Sequence, residues 1–136
     1  MNNNHFEDDH QKALFQFAAY VKALKWFHAI PNGGKRNLRE AVRLKAQGTK
    51  AGVHDTFLPK ARGVYHGCYL EMKHGKNRLS EKQIEFALEV IAEGYCSFTC
   101  YSSAEAEEAL KLYLKLEQHE TISSTFPHLS MNHISS

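Results

Sequence analysis

Apolar residues recur at helical spacing at the start of the chain. Leu14, Phe17, Ala18, Val21 and Leu24 form one stripe, which predicts a helix over residues 7–27. Pro31, Asn32, Gly33 and Gly34 then break the pattern. A second helix is predicted over 37–47, with Asn37 as N-cap, Glu40 three residues on, and Gly48 as the stop. Two strands follow, a short one over 55–58 and a longer, partly buried one over 66–73, with Arg62 and Gly63 turning between them. After a polar loop over 74–78, Ser80 and Gln83 have the spacing of a helix N-terminus, and Leu79 and Ile84 that of a hydrophobic staple. Ile84, Ala87, Leu88 and Ile91 are its expected buried face, and Gly94 its end. A strand over 95–101 precedes a last helix that starts at Ser102 and buries Ala106, Ala109, Leu110, Tyr113 and Leu114. The order helix, helix, strand, strand, helix, strand, helix predicts an α/β fold: a small mixed sheet with helices on both sides. From about Gln118 the pattern dissolves into Ser, His and Asn, so the expectation is one domain over 1–117 and a mobile tail over 118–136.

Composition changes this picture little. The chain is 43% hydrophobic and 24% charged, ordinary for a globular protein. No apolar run is long enough to cross a bilayer, and the acidic first ten residues do not read as a secretory signal. The cysteines, Cys68, Cys96 and Cys100, are odd in number and lack framework spacing, which points to a reducing, cytoplasmic setting. Cys96 and Cys100 share a strand face with Phe98 and read as core.

The distribution of charge says more than the net +2. Residues 35–78 hold 11 Lys or Arg against Glu40, Asp55 and Glu71, while the remainder holds six against 12 acids. A basic middle is what a phosphate-backbone binder needs, and equally what a solvated basic surface looks like. Asn32, Lys35, Arg36, Arg39, Arg43, Lys45 and Lys50 are the candidate nucleic-acid contacts, of which about half are expected to touch the partner.

The chemistry concentrates on one strand. Glu71 and Lys73 are two residues apart and so share a sheet face with Tyr69, while Cys68, Leu70 and Met72 take the other. If the two strands pair, Asp55 approaches Glu71. Carboxylates about 4 Å apart repel by about 4 kcal/mol at an effective dielectric of about 20. A hard divalent cation removes that cost and can clamp a phosphate oxygen. Lys73 adds positive charge where a phosphorane develops negative charge. Spacing alone also fits a surface ion pair on an edge strand.

Five segments in order carry a resemblance: Ile30-Pro31-Asn32-Gly33-Gly34-Lys35-Arg36, Leu44-Lys45-Ala46-Gln47-Gly48, Lys50-Ala51-Gly52-Val53-His54-Asp55, Leu70-Glu71-Met72-Lys73 and Leu79-Ser80-Glu81-Lys82-Gln83. Together they resemble the stand-alone VRR-NUC nucleases of phages and bacteria, in the PD-(D/E)XK superfamily. The resemblance spans about residues 7–114. It implies a restriction-endonuclease-like fold, Mg2+ or Mn2+, and cleavage of DNA. It also suggests a homodimer acting on branched or Holliday-junction-like DNA, in DNA repair or in a phage's bacterial host cell. Asp55 and Glu71 match the metal-binding acids, Lys73 the catalytic lysine, and the Met72 carbonyl a further metal ligand. Gln83 matches the glutamine on the helix after the E-x-K strand, and Glu7 the acid on the first helix. Gln83 could equally serve as a plain helix cap, and Glu7 as a solvated first-turn acid. This sequence departs at His54, where the family usually has proline; a lone loop histidine is expected at the surface. The alternative function is a non-catalytic DNA-binding protein that keeps the nuclease fold.

Overall fold

The computed structural model describes residues 3–31 and 37–125. Among the described residues there are ten elements: α1 (Asn3–Ala18), a 3-10 turn (Lys22–Leu24), β1 (His28–Ala29), α2 (Leu38–Ala46), β2 (Thr56–Leu58), β3 (Cys68–Met72), α3 (Glu81–Ala92), β4 (Cys96–Cys100), α4 (Ser103–Leu114) and α5 (Ile122–Thr125). The strands form one sheet in the order β1-β2-β3-β4. The first two pairings are antiparallel and β3–β4 is parallel, so the sheet is mixed.

Alternation along β3 and β4 builds the two faces. Cys68, Leu70 and Met72 on β3 meet Cys96, Phe98 and Cys100 on β4, all fully buried. Leu14 and Ala18 of α1 and Ala106, Ala109, Leu110 and Tyr113 of α4 close over that face. The three cysteines are unbridged core residues. The opposite face carries Tyr69, Glu71, Ser97 and Thr99. α3 covers this side through Phe86, whose ring meets Tyr69 edge-on at 5.0 Å. Helices therefore flank both faces.

The first helix ends earlier than its stripe predicts. Past Ala18 the backbone tightens to i→i+3 bonds, Tyr20 to Phe17 and Val21 to Ala18, both 3.0 Å. β-branched Val21 is a weak helix former. Leaving the helix lets Phe27 turn back onto Phe15, with ring centroids 4.7 Å apart, and releases His28 and Ala29 to pair with β2. A two-residue strand fixed by pairing with residues almost 30 positions away leaves no periodicity to read. One further expectation is corrected: Leu88 on α3 is half exposed, and Phe86 packs inward in its place. Beyond Gln118, Ile122 is fully buried, and its N–H donates to the Tyr65 hydroxyl at 3.1 Å.

α2 begins at its expected cap, the Asn37 side chain accepting from the Glu40 N–H at 2.8 Å. It buries no residue, and Leu38 and Val42 stand largely exposed. Gly52 explains how the following loop reaches the site. Its φ is +95°, and a Cβ there would sit 2.5 Å from the Lys82 carbonyl oxygen, so only glycine lets this loop lie against the first turn of α3.

Candidate active site

The β2–β3 register sets Thr56 opposite Leu70, which brings Asp55 opposite Glu71 one step beyond. Two hydrogen bonds lock the pair. The Asp55 N–H donates to Glu71 Oε1 at 3.0 Å, and the Met72 N–H donates to Asp55 Oδ2 at 3.0 Å. Glu71 is almost wholly buried. Burial first, and the Asp55 carboxylate second, push its pKa up to about 9. Burial also raises Asp55, partly offset by the Met72 N–H and by Lys73. A buried carboxylate beside a half-buried one, both raised by desolvation and Glu71 also by Asp55, forms a site with a deficit of positive charge.

Lys73 follows directly on β3, its N–H donating to the Cys100 carbonyl at 2.8 Å. Its ammonium lowers the pKa values of Asp55, Glu71 and Glu7 at once, which places one positive charge among three acids. Glu7 arrives from α1, where Phe6 stacks on His74 at 4.5 Å and so seats the start of that helix on the loop after β3. Glu7 is itself raised, by burial first.

Gln83 does two things at once. It completes the capping box: its N–H donates to Ser80 Oγ at 3.2 Å, and the Ser80 N–H donates to its Oε1 at 2.8 Å. That leaves Nε2, which donates to Glu71 Oε2 at 2.8 Å. The cap thus aims the amide. Ser80→Ala is expected to cost about 1 kcal/mol in chemical denaturation and to loosen the Gln83–Glu71 contact.

His54 is not at the surface as the sequence suggested; it is fully buried. Its Nε2 lies 2.8 Å from Ser97 Oγ, and its Nδ1 lies 3.8 Å from Glu71 Oε1 without a hydrogen bond. Burial, then Lys73, lowers its pKa to about 4, so the ring is neutral at pH 7 and the contact with Glu71 is not an ion pair. Thr99, the register partner of Glu71, also buries an unpaired hydroxyl. Ser97 and Thr99 escaped the sequence reading. Their signal was a polar alternation inside an otherwise apolar strand.

The structure therefore brings Asp55, Glu71, Lys73, Gln83, Glu7 and the Met72 backbone together. Met72 enters through its N–H. Of the basic candidates, Arg39, Arg43, Lys45 and Lys50 are exposed on α2 and the loop after it, while Asn32, Lys35 and Arg36 fall outside the described residues. Among the described residues, no three His, Cys, Asp or Glu side chains are gathered closely enough to enclose a metal ion. What Asp55 and Glu71 can offer is a pair of hard oxygen donors.

One solved structure similar to this chain is described as a "VRR_NUC domain protein". The match has a TM-score of 0.71 and 27% sequence identity, and covers 83% of this chain and 91% of the other. No family model and no curated protein matches the sequence. The chain has a VRR-NUC domain fold, an α/β fold of the restriction-endonuclease-like kind.

Proposed function

We propose that this chain, with its nuclease-type VRR-NUC fold, is a divalent-cation-dependent DNA endonuclease that hydrolyses phosphodiester bonds in branched DNA. The observation that carries the reading is the Asp55–Glu71 pair: two carboxylates locked face to face, both raised by burial and Glu71 also by Asp55, with Lys73 beside them.

Asp55 and Glu71 fit a hard cation because one cation between them removes the repulsion that burial magnifies. Glu7 and the Met72 carbonyl are the further ligands that the resemblance implies. Two carboxylates without a closed cage suit Mg2+ or Mn2+, which keep positions free for water and phosphate. Bound there, the cation supplies the Lewis acidity that phosphodiester hydrolysis requires.

The chain's own residues do the rest. The Asp55 N–H and the Gln83 amide each hold one oxygen of Glu71, so its carboxylate is fixed before any ligand arrives. Lys73 stabilises the negative charge that develops on the phosphate oxygens. The exposed Arg39, Arg43, Lys45 and Lys50 supply phosphate contacts that position the duplex and carry no sequence preference. The preference for branched DNA and the homodimer rest on the resemblance. The described helices include none long and apolar enough to cross a membrane.

The test is a panel of linear, flap, fork and four-way DNA substrates, incubated with Mg2+, with Mn2+ or with EDTA. Cutting only with cation, and fastest on a branched substrate, is the expected outcome. Salt-sensitive binding of every substrate with no product in any lane would instead favour a DNA-binding protein that has lost its chemistry.

A further inference from the structure

His54 is enclosed beside the carboxylate pair. Its ring packs against Phe86, with centroids 5.2 Å apart, and edge-on to Tyr69 at 6.4 Å, so it cannot swing to solvent. Nε2 is satisfied by Ser97 Oγ; Nδ1 is orphaned and lies 3.8 Å from Glu71 Oε1. A buried polar atom without a partner is costly, which leaves the position of the ring's single proton to be decided.

Beside an ionised Glu71, the form that holds a cation, two neutral tautomers are available to the ring. With the proton on Nε2, the ring donates to Ser97, and the Nδ1 lone pair faces an oxygen that already accepts from the Asp55 N–H. Two lone pairs then confront each other in a low-dielectric setting, where repulsion is strongest. With the proton on Nδ1, Ser97 donates its hydroxyl hydrogen to Nε2 and the ring directs an N–H at Glu71. Only the second arrangement gives every atom a complementary neighbour.

We infer that His54 is a positioning residue for Glu71: Ser97 holds its ring as the Nδ1–H tautomer, and that N–H orients the ionised Glu71 carboxylate for a divalent cation. The inference rests on the reading of Asp55 and Glu71 as a cation-holding pair. At 3.8 Å the contact is longer than a hydrogen bond, and it closes to bonding distance with a shift of about 0.8 Å, or through one bridging water. His54 touches neither substrate nor cation in this role. It acts through Glu71, as carboxylates and imidazoles behind metal ligands do in other sites.

The proton can be located directly. Long-range proton–nitrogen correlation on the metal-free, histidine-labelled protein at pH 10, where Glu71 is ionised, is expected to give a pyrrole-type Nδ1 and a pyridine-type Nε2 for His54, assigned against His54→Asn. The reverse pattern overturns the inference. Calorimetric titration with Mn2+ alone gives the second reading. His54→Ala is expected to weaken Mn2+ binding about 10- to 100-fold. His54→Asn, whose amide nitrogen can take the place of Nδ1, is expected to recover most of the loss. Unchanged affinity in folded His54→Ala overturns the role. If that variant does not fold, Ser97→Ala leaves the ring in place; there, protonation moving toward Nε2 together with weaker Mn2+ binding supports the chain from Ser97 to Glu71, and no change in either overturns it. Absence of Mn2+ binding by the wild-type protein would defeat the cation reading, while the tautomer of the metal-free protein still decides the orientation of His54.

Discussion

Glu71→Gln and Lys73→Ala are each expected to slow cation-dependent DNA cleavage by about 10²- to 10³-fold, the usual loss when one electrostatic contributor is removed from a transition state. Gln is nearly isosteric with Glu. It keeps an acceptor for the Asp55 N–H but removes the charge that, with Asp55, calls for a cation. The Gln83 amide, which now donates to Glu71 Oε2, would then face a donor or an amide turned to suit it. Lys73→Ala leaves the carboxylate pair in place and removes only the neighbouring positive charge. Because Lys73 is one cation among 11 Lys and Arg between residues 35 and 78, binding of DNA should change little. Single-turnover rates separate the two effects: the loss belongs in the chemical step, with KM nearly constant. A variant that cuts at the wild-type rate would show that this pair is not the reacting centre.

The same carboxylates make a second large effect on stability. Metal-free wild-type protein is expected to lose stability as pH rises from 6.5 to 8. Folded Glu71 holds its proton to about pH 9, whereas unfolded it ionises near 4.5, so the folded state binds more protons and stability falls as pH rises through this window. Asp55 is shifted in the same direction. His54 works oppositely but elsewhere. Its folded pKa of about 4 lies below the ordinary 6.5, so its contribution grows between those values and is complete above them. One proton gives a slope of at most about 1.4 kcal/mol per pH unit. Mg2+ or Mn2+ should restore the loss, increasingly so at higher pH, because binding displaces the proton. Glu71→Gln should flatten the profile and, in EDTA at pH 8, melt above the wild-type protein. Thermal melts in EDTA and in Mn2+ across this range read all three. A metal-free stability that is level or rising from pH 6.5 to 8 would mean that Glu71 is not held protonated by burial and by Asp55.

How far the sequence disclosed these residues depended on whether the signal was local. The start of α3 was legible because Ser80 and Gln83 sit three apart, and the structure forms that capping box. The two faces of β3 were legible from strict alternation across Cys68–Met72. The approach of Asp55 to Glu71 required only that neighbouring strands pair, which they do. The rest was decided between distant positions. β1 exists because His28 and Ala29 meet Phe57 and Thr56. Leu88 is displaced from the buried face because Phe86 finds Tyr69 and His54 there. Burial of His54 depends on Ser97, 43 residues later, and no local pattern in a Gly-Val-His-Asp loop announces that partner. Lys73 stood as a candidate by its spacing from Glu71, and Glu7 and Gln83 by resemblance; their convergence on the two carboxylates is a property of the packing of α1, β3 and α3.

The most direct measurement is nicking of a supercoiled circular DNA by the purified protein in EDTA, followed by addition of excess Mg2+, with Lys73→Ala alongside. The expected result is intact DNA in EDTA, nicked and then linear DNA after Mg2+, and little product from Lys73→Ala at the same protein concentration. Nicking at equal rates with and without Mg2+, or by Lys73→Ala as fast as by the wild type, would contradict a cation-dependent nuclease centre at Asp55, Glu71 and Lys73.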